Sequence, residues 1–183
     1  CSLHHVVKRS WNPATGAFAD TTLGIESSAV AEQLATPLGI LFLMPSLCRD
    51  RVGHIGLLTP DGKVVTTPVT QNYLFPHLVL LADRAVAVLS RNEATRHIKT
   101  DIVRVRRDGT LSIEQMPELQ VASRNDFREA ALPDGRLMVL GGSDAPYRGC
   151  SPCRAETYIL DPKKFSWSSG PSMLEPRSEH LAT

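Results

Sequence analysis

The chain has 183 residues, enough for one domain or a small pair, and 42% of them are hydrophobic against 21% charged, a balance that argues against disorder. Lys and Arg number 20 and Asp and Glu 19, a net charge of +1, so no global field draws the protein to nucleic acid or to an anionic membrane. The longest apolar run, Leu38 to Met44, falls far short of the roughly 20 residues of a membrane span, and scattered glycine and proline suit many short strands.

The chain opens on Cys1 rather than Met, as expected of a processed, truncated or internal start. Residues 4–22 predict two strands around Trp11-Asn12-Pro13-Ala14-Thr15-Gly16-Ala17-Phe18, an Asx-Pro turn that the fixed proline ring initiates. Residues 28–69 predict four strands, with Leu34-Ala35-Thr36-Pro37 leading into the apolar run and Leu58-Thr59-Pro60-Asp61-Gly62-Lys63 turning the second hairpin. Ser27–Leu34 also suits a helix, but the repeat places a strand there. Residues 75–119 repeat the pattern, from His77–Ser90 to a hairpin turned at Asp108-Gly109 between Val103-Arg104-Val105-Arg106 and Leu111-Ser112-Ile113-Glu114, each of period two. Residues 127–173 form the clearest copy. Leu132-Pro133-Asp134-Gly135 turns into Leu137–Gly142, and Leu160-Asp161-Pro162-Lys163-Lys164-Phe165-Ser166-Trp167 echoes the first turn. Pro117-Glu118-Leu119 with Arg124 matches Pro171-Ser172-Met173 with Arg177 at offsets of 54 and 53. Residues 177–183 predict the first strand of a further unit.

Three landmarks at one period of about fifty residues, four strands to a period, read as propeller blades. The best copy resembles the kelch repeat, in its bacterial variety, through Gly141, Gly142, Tyr158, Asp161, Pro162, Trp167, Met173 and Arg177. Earlier copies depart from it: Leu89-Ser90-Arg91 stands in place of the paired glycines, and two units lack the late tryptophan. The resemblance implies an all-β, kelch-type β-propeller segment of four-stranded antiparallel blades, about three complete blades with partial blades at both ends. The fifteen expected strands do not close a ring, so the chain is expected to be part of a larger propeller or to be completed by another chain. Glycine pairs relieve crowding and aromatic residues fill the wedge between sheets, and neither names a ligand.

Candidate chemistry is sparse. Cys150-Ser151-Pro152-Cys153 is the single CxxC, without a second ligand pair for zinc, and a disulfide clipping the loop is the favoured reading. A free-thiol pair and metal or redox chemistry stay open, and Cys1 could pair with Cys48. Four cysteines point weakly to an extracellular or cell-surface setting. His4, His5, His54, His77, His97 and His180 read as structural; adjacent His4 and His5 would face opposite sides of a strand. Arg104, Arg106 and Arg107 read as a solvated edge of an outer strand, and Glu129 with Asp126 shows no sign of raised acidity.

Any binding function should sit on loops held by the sheets. By the resemblance, the candidates are Ser143 and Asp144 past the paired glycines, Arg91 and Asn92 at the same place one unit earlier, and Asn125 and Ser178 beside the arginine landmarks. Tyr147 and Arg148 in the long loop are residue types that anchor interfaces. No catalytic residue, metal or other cofactor is expected. The expected function is a non-enzymatic scaffold binding a protein or glycan. The alternative is part of a secreted sugar-active enzyme of the galactose-oxidase-like kind, whose copper site of Tyr, His and Cys is not visible in this sequence. A structural cell-surface repeat without a discrete ligand is the third reading.

Overall fold

The computed structural model describes residues 4–27, 32–44, 53–69, 74–92, 94–106, 108–121, 124, 126–143 and 152–178. They form fourteen strands and no helix: β1 (His4–Asn12), β2 (Ala17–Ser27), β3 (Glu32–Thr36), β4 (Gly39–Met44), β5 (Gly53–Leu58), β6 (Val64–Val69), β7 (Leu74–Leu80), β8 (Val86–Arg91), β9 (Ile98–Val105), β10 (Leu111–Gln115), β11 (Arg128–Ala131), β12 (Leu137–Leu140), β13 (Thr157–Asp161) and β14 (Ser166–Ser169). The chain is all-β, with one two-stranded hairpin and three four-stranded antiparallel meanders, β3–β6, β7–β10 and β11–β14. It divides into two compact units, Cys1–Asn72 and Tyr73–Thr183.

The first unit holds the β1–β2 hairpin and the β3–β6 sheet. Its central strands carry Ile40-Leu41-Phe42-Leu43-Met44 and Ile55-Gly56-Leu57-Leu58, apolar at nearly every step because inner strands are covered on both faces. Leu41, Leu43, Ile55 and Leu57 are fully buried on one side, and Phe42, Met44 and Leu58 form a cluster on the other. Phe42 lies opposite Gly56, and its ring occupies the space a side chain there would need.

The second unit packs two four-stranded sheets on a common core. Ala87, Leu89, Ile98 and Ile102 of β8 and β9 share one cluster with Leu137, Val139 and Leu160 of β12 and β13, sealed by Met116, Leu119 and Phe127 from the connection between sheets. On β8, β9 and β12 these apolar residues stand two or four positions apart, which puts them on one face of each strand. Tyr158 and Trp167 pack against the same cluster.

The hairpins show why the turn signals recur. From Thr59 to Lys63, Leu81 to Ala85, Arg106 to Thr110 and Leu132 to Arg136, the first N–H donates to the fifth carbonyl and the fourth N–H to the first carbonyl. The fourth residue is left-handed in each: Gly62 at φ 86°, Arg84 at 66°, Gly109 at 83° and Gly135 at 88°. This is a three-residue hairpin loop ending in a bulge, and it needs a positive φ that glycine adopts without strain. The two Asx-Pro hairpins are also alike. Asn12 Oδ1 accepts from the Ala14 N–H (2.9 Å) and Asp161 Oδ1 from the Lys163 N–H (3.0 Å). Trp11 pairs with Phe18, and Leu160 with Trp167, in the same register.

Glu32–Thr36 is a strand, as the repeat led one to expect, and not part of the rival helix over Ser27–Leu34. One expectation changes. Arg104 lies on β9, an inner strand between β8 and β10, and not on an outer one. The last strand expected from residue 177 lies mostly outside the described residues.

Candidate functional site

The candidate positions gather where the second strand of each sheet of the second unit runs into its loop. Asn92 directly follows β8, and Ser143 follows β12 after Gly141 and Gly142. Both glycines are left-handed, at φ 60° and 99°, which lets Gly141 N–H reach the Glu156 carbonyl (3.2 Å) and Gly142 N–H the Arg177 carbonyl (2.9 Å). Arg154 N–H returns to the Gly142 carbonyl (2.9 Å), and Ser143 forms an antiparallel bridge with Cys153. Ser178 then stands 3.4 Å from the Cys153 sulfur. The chain thus brings Ser143, Cys153 and Ser178 together. Cys153 is disulfide-bonded, and the other three cysteines, Cys150 among them, lie outside the described residues, as do Asp144, Tyr147, Arg148 and Asn125.

At the equivalent place in the β7–β10 sheet, Glu118 is the hub. It accepts from Asn92 Nδ2 at 2.6 Å and Thr95 Oγ1 at 3.2 Å, and faces His97 Nδ1 at 3.4 Å and Lys99 Nζ at 4.0 Å. Burial pushes the Glu118 carboxyl up, but the hydrogen bonds from Asn92 and Thr95 and the charge of Lys99 outweigh it and hold the group below its ordinary value. The network ties the β8–β9 loop to the segment leaving β10, where Leu119 N–H also donates to the Ile98 carbonyl (2.9 Å).

Arg124 does the same for the next sheet. Only 5% exposed, it donates from Nη1 to the Gly141 carbonyl (2.8 Å) and the Glu156 carbonyl (3.1 Å) and from Nη2 to Glu156 Oε2 (3.2 Å). Its guanidinium lies 5.0 Å from the Tyr158 ring centre, a cation–π contact. Arg177, the later landmark, pairs instead with Glu175 (3.2 Å) and contributes its backbone to the paired-glycine turn.

Sequence reasoning missed three contributors. Glu118 served only as a landmark beside Pro117, although a carboxylate half a period after the Asn-bearing loop of its own unit was the available signal. His77, a lone structural histidine by sequence, pairs across the sheets with Glu129 (Nδ1 to Oε1, 3.0 Å) while stacking on Phe127 at 5.2 Å. Trp167 proves to be a hydrogen-bond donor as well as a wedge.

The arrangement consists of short loops stapled by charged and polar groups onto stacked sheets. Among the described residues, no three of His, Cys, Asp and Glu come together as metal ligands, and no helix is long and apolar enough to cross a membrane. No family model matches the sequence, and no curated protein matches it. The fold is similar to a solved fungal alcohol oxidase of the AA5 family, determined in complex with copper, at a TM-score of 0.60 and 12% identity over 95% of this chain. The chain spans 40% of that oxidase's length, and the likeness is one of fold.

Proposed function

We propose that the chain supplies kelch-type propeller blades to a galactose-oxidase-like enzyme. The observation that carries this reading is the likeness of 95% of the chain to the propeller-bearing alcohol oxidase. The repeat landmarks support the kelch assignment: Gly141 and Gly142 in left-handed turns, Asp161-Pro162 opening a hairpin, and Trp167 wedged between sheets. On this reading the units run 1–23, 28–69, 75–119, 127–173 and 177–183.

The described residues do not themselves fit a copper centre. Cys153 is in a disulfide, Tyr158 lies under Arg124, and His77 and His97 face carboxylates of Glu129 and Glu118. Copper ligands would come from other residues of the protein, so no catalytic step is assigned here. This chain's part is to hold a rigid sheet scaffold and its loops in place.

A second reading has its own support in the stapled loops. Asn92, anchored to Glu118, and Ser143 and Ser178, anchored around Cys153, stand on rigid supports at the same end of their sheets. With Arg91, Asp144, Tyr147, Arg148 and Asn125 they would form a face for a protein or glycan partner, the long loop clipped by a Cys150–Cys153 disulfide in a secreted setting.

Copper reconstitution of the full-length protein tests the two. Peroxide production from primary alcohols or galactose supports the oxidase. A copper-loaded protein without turnover, together with a specific hit on a glycan or protein array, supports the scaffold.

A further inference from the structure

A cleft of about 230 Å³ lies at the turn end of the second unit, opposite the candidate loops. The β7–β8 turn supplies Asp83, β9 supplies Arg104, the β11–β12 turn Pro133 and Asp134, and the β13–β14 turn Pro162 and Lys163. Two adjacent sheets therefore build it jointly, from the turns that the repeat places side by side.

Charges of both signs line it, Asp83 and Asp134 against Arg104 and Lys163, with Arg136 beside Asp134. Asp83 meets Arg104 at 2.6 Å, and Asp134 meets Arg136, just outside the lining, at 2.8 Å. Burial raises the Asp83 carboxyl, but the Arg104 and Ala85 hydrogen bonds outweigh it. Asp134 is lowered by the Arg136 backbone N–H, so both are ionised at neutral pH. Asp83 and Arg104 share one short contact and remain 43% and 39% exposed. Asp83 also accepts from the Ala85 N–H (3.2 Å), and Arg136 bonds both oxygens of Asp134, but a carboxylate accepts at four positions and a guanidinium donates at five, so each keeps capacity to spare.

We propose that this cleft binds a small uncharged polyol, a single sugar unit or a molecule like it. An anion would meet Asp83 and Asp134, and a cation would meet Arg104 and Lys163. An apolar ligand would desolvate four charged groups without compensating hydrogen bonds. Vicinal hydroxyls, which donate and accept at once, match paired acceptors and donors, while carbon-bound faces can lie on the rings of Pro133 and Pro162. The volume is below that of drug-sized pockets, which limits the ligand to about one ring. The inference stands on the cleft alone and does not require the oxidase reading.

The test is a heteronuclear NMR titration of the chain with glucose, galactose and myo-inositol, with glucuronate and glucosamine as charged controls. Saturable shifts at Asp83, Gly135 and Lys163 with the neutral probes, weakened at least fivefold by Lys163→Ala and Asp134→Asn, are expected. Lys163 is exposed in a turn, so its variant keeps the fold. No shifts at these turns, tighter binding of glucuronate or glucosamine, or binding indifferent to both variants would each overturn the proposal. A copper-dependent activity, present or absent, leaves this outcome unaffected.

Discussion

The indole Nε1–H of Trp167 donates a 2.8 Å hydrogen bond to the backbone carbonyl of Pro117, fifty residues earlier. One side chain thereby pins β14 of the last sheet to the segment leaving β10 of the sheet before it. Its ring packs on the shared core while its nitrogen satisfies a carbonyl that lies outside any ladder. Trp167→Phe retains most of the apolar area and loses the donor. It should lower unfolding free energy by about 1–2 kcal/mol in urea denaturation, whereas Trp167→Ala should cost about 3 kcal/mol or more. Equal losses for the two variants would show that the hydrogen bond contributes nothing.

Arg124 is a buried cation with all its anchoring oxygens on the following sheet. Arg124→Met should destabilise by about 1–3 kcal/mol, since the Gly141 and Glu156 carbonyls lose their donor, while the half-exposed Glu156 carboxylate returns to water. Arg124→Lys should recover only part of that loss, because an ammonium lacks the planar fork that spans Gly141 and Glu156 together. Thermal unfolding of the three proteins measures both effects.

The left-handed turn positions separate backbone strain from packing. Nothing lies within 4 Å of a Cβ built on Gly135, so Gly135→Ala should cost about 1 kcal/mol through φ alone. Arg84 occupies the same position one sheet earlier at φ 66°. Arg84→Gly should therefore be neutral or stabilising by up to about 1 kcal/mol, despite the entropy glycine adds to the unfolded chain. A large loss at Arg84→Gly would mean that the arginine side chain carries stability of its own.

Gly56→Ala is the opposite case. The added methyl would run into the Phe42 ring directly across the strand pair. Overpacking of this kind costs about 1–3 kcal/mol, and Phe42→Leu in the same chain should restore part of it, a coupling that a double-mutant cycle reads directly.

Glu118 sets a pH dependence. Its folded pKa is held below the ordinary value, so its contribution is full above the unfolded glutamate pKa of about 4.3 and is lost as pH falls through the lower folded value. Asp83 acts in the same direction through Arg104. The gap in unfolding midpoint between the native chain and Glu118→Gln should be widest at pH 6–7 and should close on acidification below about pH 4. A gap independent of pH would remove the charge from the explanation.

Read alone, the amino-acid order determined the strand count per repeat, the positions of the turns and the architecture class. These depend on local chemistry: a proline fixes its own φ, Asp-Gly favours a left-handed bulge, and alternation or continuous apolarity records whether a strand is covered on one face or two. Asn92, Ser143 and Ser178 were candidates only through the resemblance to the kelch repeat. Tertiary structure alone decided which distant groups meet. That Glu118 would collect Asn92, Thr95, His97 and Lys99, that His77 would find Glu129 across 52 residues, and that Asp83, Asp134 and Lys163 would share one cleft depends on how neighbouring sheets stack. No local rule carries that information, since a side chain's partner across a sheet interface is set by packing geometry and not by its neighbours in the chain.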